Sequence, residues 1–128
     1  MPASHRELLV WQKSMDMAVE VYRLTGRFPK SEMYRLTSQV TRAAASVPAN
    51  IAEGNARGSR RDYAHFLSIA KGSLNETETF LSLALRLGYL SEAEAAPTLM
   101  LIAEIGKDAH RPSRSTGMIR HARYSLFP

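Results

Sequence analysis

The stretch Gln39–Gly54 reads Q-V-T-R-A-A-A-S-V-P-A-N-I-A-E-G, and it decides how the rest of the chain is interpreted. Small residues dominate it, and Arg42 is its only formal charge before Glu53. A helix at the surface of a monomeric bundle normally keeps one charged face for water. The stretch therefore predicts a helix whose outer side is covered by another subunit.

Placed on a helix, this stretch and the turn before it divide into three stripes. The inward stripe is apolar and comprises Leu36, Val40, Ala43, Val47 and Ile51. The polar shoulder comprises Gln39, Arg42, Ser46, Asn50 and Glu53. The small shoulder comprises Ser38, Thr41, Ala45, Ala49 and Ala52. We interpret the polar shoulder, with Glu76 of the following helix, as a polar network or an assembly seam, since buried charges need partners.

Pro48 interrupts the hydrogen-bonding pattern of this helix. It lacks the N–H that would bond the carbonyl of Ala44, and its ring crowds that carbonyl, a defect worth about 3 kcal/mol in a helix interior. We therefore expect the helix to bend or restart at Pro48, with Ser46, Asn50 or a water bonding the freed carbonyl. The helix should end at Gly54, before a loop over residues 55–58.

A first helix is predicted from Leu8 to Leu24, because apolar residues recur there at spacings of three and four. Its expected core stripe is Leu8, Trp11, Met15, Ala18 and Tyr22. Gly26 and the pair Phe28-Pro29 should end this helix. Ser31 is the expected cap of the second helix, with Glu32 in its first turn.

Two more helices follow the central stretch. Ser59 and Asp62 form a capping pattern for the third helix, which should end at Gly88. Its expected core stripe is Tyr63, Phe66, Leu67, Ala70, Leu74, Thr77, Leu81 and Ala84. A second stripe, Phe80, Leu83 and Leu87, exceeds the needs of one bundle and favours a subunit contact.

The fourth helix should begin at the capping box of Ser91 and Glu94. Pro97 lies too deep for a simple first turn, so we expect an irregular start up to that residue. The inner face is predicted to be Leu99, Ile102, Ile105 and Ala109, and Pro112 should stop the helix. Four helical patterns with short connections predict an all-α, antiparallel up-and-down four-helix bundle over residues 1–112. Residues 113–128 form a basic, irregular tail.

Composition narrows the class of protein. A chain of 128 residues suits one domain with a buried core. Cysteine is absent, which excludes disulfide bonds and thiolate metal sites. No signal-peptide run and no apolar run of about 18 residues occurs, so we expect a cytoplasmic protein without membrane contact.

The net charge of +5 suggests an anionic partner. Arg57, Arg60 and Arg61 form the dense basic cluster of the bundle, and the tail adds the acid-free set Arg111, Arg114, Arg120 and Arg123. One interpretation is that these arginines are simply solvated. The other is that they contact phosphates, and the candidates are then Arg57, Arg60, Arg61, Arg114, Arg120 and Arg123. Few aromatic residues lie among them, so any RNA binding should be weakly sequence-specific.

Catalytic patterns are incomplete. Ser68 and Lys71 spell an SxxK motif, but its companion motifs and its large mixed fold are missing. Asp62 and His65 resemble half of a di-iron pair, and no second pair exists. We therefore expect neither an enzyme nor a bound metal or cofactor.

The chain resembles the 23S ribosomal RNA intervening-sequence protein family, also called the four helix bundle protein family. The resemblance rests on the run S-V-P-A-N-I-A-E-G over residues 46–54, on Leu36-Thr37-Ser38-Gln39, on Arg42-Ala43, on Val10-Trp11-Gln12-Lys13 and Tyr22, and on Phe66-Leu67, Ile69-Ala70, Gly72-Ser73-Leu74 and Glu76. It implies a left-handed bundle assembled as a ring-like homopentamer, with no enzymatic activity. Arg35, where the family usually has glycine, and the segment 109–112 depart from the pattern.

Some members of that family are encoded inside insertions in ribosomal RNA genes, and one related accessory protein partners a reverse transcriptase and binds nucleic acid. The leading hypothesis is therefore a non-enzymatic, homo-oligomeric scaffold that binds a protein or nucleic-acid partner. The alternative is a protein that binds RNA directly through Arg57, Arg60, Arg61, Arg114, Arg120 and Arg123.

Overall fold

The computed structural model describes residues 4–109, which form four α-helices and contain no β-strand. The helices are α1 (Leu9–Thr25), α2 (Leu36–Ala56), α3 (Arg60–Arg86) and α4 (Glu92–Ala109). Short 3₁₀ turns, His5–Glu7 and Lys30–Glu32, precede α1 and α2. This architecture confirms the predicted all-α four-helix bundle. The predicted boundary at residue 112 and the tail 113–128 lie outside the described residues.

Ion pairs at both ends of the bundle fix the relative direction of α1 and α4. Near the start of α1, the Lys13 amine donates to Asp108 near the end of α4, with Nζ 3.0 Å from Oδ2. Just beyond the end of α1, Arg27 pairs with Glu94 near the start of α4 at 2.7 Å. The two helices therefore run antiparallel. Because α1 and α3 each pack against α2 and α4, they occupy opposite corners of the bundle.

The predicted caps of α3 and α4 are confirmed. The Ser59 hydroxyl accepts a hydrogen bond from the N–H of Asp62 at 3.1 Å. In α4 the bonds are reciprocal: Ser91 accepts from the Glu94 N–H at 3.1 Å, and Glu94 accepts from the Ser91 N–H at 2.8 Å. Each bond satisfies an N–H that the first turn of a helix leaves free, which sets the starting points of both helices.

The end of α3 depends on Gly88, as predicted. Gly88 has a φ of +78°, a left-handed conformation that glycine adopts without a steric penalty. The Tyr89 N–H then donates to the carbonyl of Ala84, and the Gly88 N–H donates to that of Leu85. These paired bonds are a Schellman motif, and they satisfy two of the last carbonyls of the helix.

The predicted start of α2 is wrong. Ser31 and Glu32 belong to the preceding 3₁₀ turn, and α2 begins at Leu36. The Glu32 carboxylate reaches forward to cap this later start, because its Oε1 accepts the N–H of Leu36 at 3.3 Å. The other carboxylate oxygen accepts the Tyr89 hydroxyl at 2.7 Å, and this bond ties the α1–α2 connection to the α3–α4 connection.

Neither proline divides its helix. α2 continues through Pro48 and extends two residues beyond the predicted end, to Ala56, so a restart at Pro48 is wrong; a bend there stays a prediction. The expected irregular start of α4 is also wrong, because α4 is regular from Glu92 through Pro97. Pro97 and Ala93 both lie on the exposed side of α4, so water has access to the carbonyl that Pro97 leaves free.

The core confirms the inward stripes predicted for α2, α3 and α4, with two exceptions. All five members of the α2 stripe are buried. On α3, Phe66 is half-buried and the other members are buried; on α4, Leu99 is half-buried and the other members are buried. The stripe predicted for α1 lies elsewhere, and its position defines the candidate site.

Candidate assembly surface

The core face of α1 is not the one that its aromatic residues indicate. Tyr22 is 57% exposed, and Trp11 and Met15 are only half-buried. The apolar side chains that α1 buries most completely are Val10, Met17, Val21 and Leu24. Of the predicted α1 stripe, Leu8 and Ala18 are buried, and Trp11 is half-buried against the core. Met15 is only half-buried, and the prediction is wrong for Tyr22, which is exposed.

Buried polar residues explain the error on α1. Ser14 is completely buried, and its hydroxyl donates to the Val10 carbonyl at 2.7 Å. Lys13 is 9% exposed and pairs with Asp108 and Glu104, with Nζ–O distances of 3.0 and 3.3 Å. Burial opposes the charged amine, but the hydrogen bonds and charges of Asp108 and Glu104 outweigh it and raise the pKa of Lys13. A polar side chain with such partners occupies a core position that its residue type does not indicate.

The outward side of α1 forms one wall of an apolar groove, and α2 forms the other. The groove has a volume of about 670 Å³. On the first wall lie His5, Trp11, Met15, Ala18, Val19, Tyr22 and Arg23. On the second lie Ala45, Pro48, Ala49 and Ala52. These eleven residues are called the α1–α2 groove below.

The alanines of α2 line the floor of the groove on its second wall. Ala45 and Ala49 are exposed, and Ala52 is half-buried. Because their side chains end at Cβ, the surface of α2 lies lower than the neighbouring surface of α1, which carries larger side chains. The small shoulder predicted from the sequence therefore supplies three of its five members to this groove.

His5 and Trp11 close one end of the groove. Their rings meet edge to face with centroids 4.8 Å apart. Burial, with the charge of Arg6 as a lesser cause, lowers the pKa of His5. The imidazole is therefore mainly uncharged near neutral pH. This leaves Arg23 as the charged side chain among the residues that line the groove.

The polar shoulder of α2 faces α3, and part of it forms a hydrogen-bonded cluster. The Asn50 amide donates to the carbonyl of Ser46 at 2.8 Å and to its hydroxyl at 2.9 Å. The Ser73 hydroxyl of α3 donates to the same Ser46 hydroxyl at 2.9 Å. The Asn50 amide thus bonds Ser46, not the Ala44 carbonyl that Pro48 leaves free.

The remaining members of the predicted network do not meet within one copy. Glu53 pairs instead with Arg57, the residue that follows α2, at 2.9 Å. Gln39, Arg42 and Glu76 are exposed, and none of them makes a side-chain hydrogen bond or ion pair within residues 4–109. A pairing of these groups between copies stays a prediction.

Gly54 permits the closest approach of α2 to α3. A Cβ placed on it would lie 2.8 Å from the Cβ of Phe66 and 3.3 Å from the Cα of Tyr63. Separations below 3.0 Å are not tolerated, so glycine is required at this position. The final residue of the run S-V-P-A-N-I-A-E-G thus has a packing role between helices.

Two of the three residues in the second stripe predicted for α3 are exposed. Leu83 is 44% exposed, Leu87 is 50% exposed, and Phe80 is half-buried against the core. These three residues are called the α3 ridge below. Glu76 lies on the same helical line, four residues before Phe80.

The basic cluster of the bundle is only partly available to a ligand. Arg57 binds Glu53, and its guanidinium lies 4.9 Å from the centre of the Phe66 ring. Arg60 and Arg61 are exposed in the first turn of α3. This turn and the end of α4 lie at the same end of the bundle. The other predicted contacts, Arg114, Arg120 and Arg123, lie outside the described residues.

Within residues 4–109, no three histidine or acidic side chains come close enough together to hold a metal ion. None of the helices in that part of the chain is long and apolar enough to cross a membrane. The SxxK residue Ser68 is exposed on α3.

The fold and the surface define a class of protein: an antiparallel four-helix bundle with an apolar groove beside a small-residue helix. The family model of the 23S rRNA-intervening sequence protein matches residues 6–110. The chain belongs to that family. The match includes all four helices, whereas the basic tail, residues 113–128, lies beyond it.

One similar solved structure is a protein of unknown function from the S23 ribosomal protein family of Bacteroides thetaiotaomicron. It is 28% identical, with a TM-score of 0.72, and the match covers 84% of this chain and all of the other. No curated protein is significantly similar. The comparisons thus agree on the family and on the fold, and the function of this relative is unknown.

Proposed function

We propose that the chain is a cytoplasmic, non-enzymatic scaffold that assembles into a homo-oligomer, a pentamer by its resemblance to the family, and binds a protein or nucleic-acid partner. The α1–α2 groove is the observation that supports the assembly. It presents exposed Val19 and Tyr22 and half-buried Trp11 and Met15 beside a row of alanines. Contiguous apolar surface of this kind marks sites of association on soluble proteins.

A protein surface fits the groove better than a small ligand does. Its volume is within the range of ligand pockets, about 300–1,000 Å³. Small-molecule sites, however, add several converging polar groups that orient the ligand. Here the polar groups are the His5 imidazole, the Tyr22 hydroxyl and the Arg23 guanidinium, and the α2 wall has only alanine and proline side chains. A helix from another copy needs no such orienting groups.

Assembly would also explain a partner-binding role without any deep polar site. A ring repeats each surface of the chain several times, so individually weak contacts act together on one extended partner. The exposed Arg60 and Arg61 would be repeated in the same way. We therefore expect the oligomer to bind its partner more tightly than the isolated chain does.

The mass of the full chain in solution tests the assembly. We expect light scattering coupled to gel filtration to give a multiple of 14.3 kDa for the wild type, five times that value for a pentamer. Ala49→Trp should fill the groove and reduce the mass to that of one chain. Ala103→Trp, at an exposed alanine of α4, is the matched control and should keep the wild-type mass.

Circular dichroism separates loss of assembly from loss of fold. Both variants should keep the helical signal of the wild type, because both substituted alanines are exposed. A monomeric wild type at micromolar concentration would refute the proposal. So would an Ala49→Trp variant that stays folded and keeps the wild-type mass.

Direct RNA binding is the second candidate. It is supported by exposed Arg60 and Arg61 at the bundle end where α4 also ends and the chain continues into its arginine-rich tail. We expect affinity for unspecific RNA to fall steeply between 50 and 200 mM salt, as phosphate contacts require. Arg60→Glu combined with Arg61→Glu should weaken binding at least tenfold, whereas Arg35→Glu, at the opposite end, should not. No binding at low salt would exclude this function.

A further inference from the structure

The α1–α2 groove and the α3 ridge are two different apolar surfaces on one chain. We propose that the groove of one copy receives the α3 ridge of the next, so that the contact is heterologous, joining unlike surfaces head to tail. This inference rests on the proposed assembly and names the two surfaces that meet. The observations that carry it are the shapes, the charges and the positions of the two surfaces.

The shapes of the two surfaces are complementary. The α2 wall of the groove is low, because Ala45, Ala49 and Ala52 end at Cβ. The ridge offers large side chains, because Leu83 on α3 and Leu87, the residue that follows α3, are about half exposed. Large side chains packed into gaps above small ones are the usual way in which two helices come into close contact. Neither surface complements itself, since two grooves facing each other would leave a cavity.

The charges of the two surfaces are also complementary. Arg23 is the charged residue among those lining the groove, and its side chain is 72% exposed although it pairs with Glu20. A guanidinium has five donors, so Arg23 retains donors for a second acceptor. On the line of the ridge the charged residue is Glu76, which is exposed and has no ion pair within residues 4–109. A ridge seated in the groove therefore brings opposite charges into the same contact.

The positions of the two surfaces let one copy use both at once. The groove lies between α1 and α2, and the ridge lies on α3, which occupies the corner opposite α1. Heterologous contacts either close into a ring or continue as a filament. The bundle thus has one receiving surface and one projecting surface, the minimum that a closed ring of identical subunits requires.

Mixing two assembly-defective variants tests this pairing directly in the full-length chain. Ala49→Glu should disable the groove, and Leu83→Glu should disable the ridge. Each variant alone should be monomeric at a concentration at which the wild type is assembled. An equimolar mixture should contain a species of twice the chain mass, because the intact groove of Leu83→Glu receives the intact ridge of Ala49→Glu. Growth stops there, since the remaining surfaces are disabled.

Two control variants show whether a new carboxylate disrupts assembly at any site. Ala103→Glu matches Ala49→Glu, and Met100→Glu matches Leu83→Glu; both control positions are exposed on α4. Both controls should keep the wild-type mass. If either of them dissociates the oligomer, charge alone causes the loss, and the assignment of groove and ridge is overturned.

Failure of this inference differs from failure of the proposed function. A monomeric wild type refutes the assembly and the pairing together. If the wild type assembles but Ala49→Glu or Leu83→Glu keeps the wild-type mass, the pairing alone is refuted and the assembly stands. If both variants dissociate but their mixture stays monomeric, the intact groove of one does not receive the intact ridge of the other, and the head-to-tail pairing is wrong.

Discussion

The two flanks of α2 are built from similar small residues, yet one is closely packed within the chain and the other is exposed. On the flank toward α3, Gly54 lets the helices approach until a single Cβ would clash, and Ser46 bonds Ser73 across the contact. On the flank toward α1, Ala45 and Ala49 stay exposed in an open groove. Small residues thus close one contact inside the chain and leave the other open, the side on which we propose that a second copy binds.

The difference lies in what each neighbouring helix presents to α2. α3 presents Ser73, which finds a polar partner, and the backbone near Tyr63, which fills the space that glycine leaves. α1 turns its fully buried apolar residues toward the core, whereas Trp11 is only half-buried at the edge of the core and Tyr22 is exposed. A small-residue stripe therefore predicts close packing, but the neighbouring helix decides whether that packing occurs within one chain.

Introducing leucine on each flank in turn tests this comparison with the largest expected effect. Gly54→Leu should destabilise the fold by about 3 kcal/mol, because the first added carbon already lies 2.8 Å from the Phe66 Cβ. Ala49→Leu should change the free energy of unfolding by less than about 0.5 kcal/mol, as surface substitutions do. Urea unfolding at a concentration at which the wild type is dissociated measures both.

Gly72→Ala is the matched control for the loss of a helical glycine. No atom outside its own helix lies within 4 Å of the added Cβ, so this variant should gain up to about 1 kcal/mol. Equal costs for Gly54→Leu and Ala49→Leu would show that the two flanks of α2 do not differ.

Lys13→Met tests the buried side of α1, which faces α4 and lies away from the groove. The substitution removes charge-assisted hydrogen bonds to Asp108 and Glu104 and should cost about 2 kcal/mol at neutral pH without changing the oligomer mass. Because the folded state raises the pKa of Lys13, its stabilisation is fully present below about pH 10.5 and is lost as the pH rises through the folded value.

Urea unfolding of the wild type and Lys13→Met between pH 7 and pH 11 measures this dependence. The difference between the two should shrink above pH 10.5. Lys30→Met, at an exposed lysine, is the control and should behave as the wild type does. A difference that persists unchanged at pH 11 would mean that packing of the Lys13 stem, and not its charge, stabilises the contact.

The smallest expected effect concerns the hydrogen bond between Ser46 and Ser73, on the flank of α2 that packs against α3. Ser46→Ala and Ser73→Ala should each cost about 1 kcal/mol, since each leaves a partner without its bond. The double variant should cost less than the sum, with a coupling energy of about 0.5–1 kcal/mol. Strictly additive costs in a double-mutant cycle would argue against direct contact between the two hydroxyls.

The sequence predicts the fold well and the candidate site only in part. The inward stripe of α2 was predicted correctly because its residues are apolar and regularly spaced. The core face of α1 was not, because Lys13 and Ser14 have partners that only tertiary structure supplies. The same limit applies to the start of α2, since Glu32 caps from outside the helix.

The sequence predicts only one of the two walls of the groove. The small shoulder of α2 indicated its α2 wall, whereas its α1 wall was assigned to the core. The residues missed were His5, Val19 and Arg23. Val19 follows Met15 by four residues and Trp11 by eight, and this helical spacing indicates that the three share one face of α1. The apolar residues of α1, however, fit two adjoining faces equally well. Only contact with α2 and α4 selects between those faces.

The fluorescence of Trp11 tests the central claim most directly, because it is the only tryptophan and it lines the groove. The wild type is diluted from the assembled to the dissociated state while acrylamide quenching of Trp11 and the mass are measured together. The account predicts that quenching rises as the mass falls, since dissociation uncovers the open flank of α2. Quenching that stays constant while the mass falls would show that the copies meet elsewhere and would contradict the account.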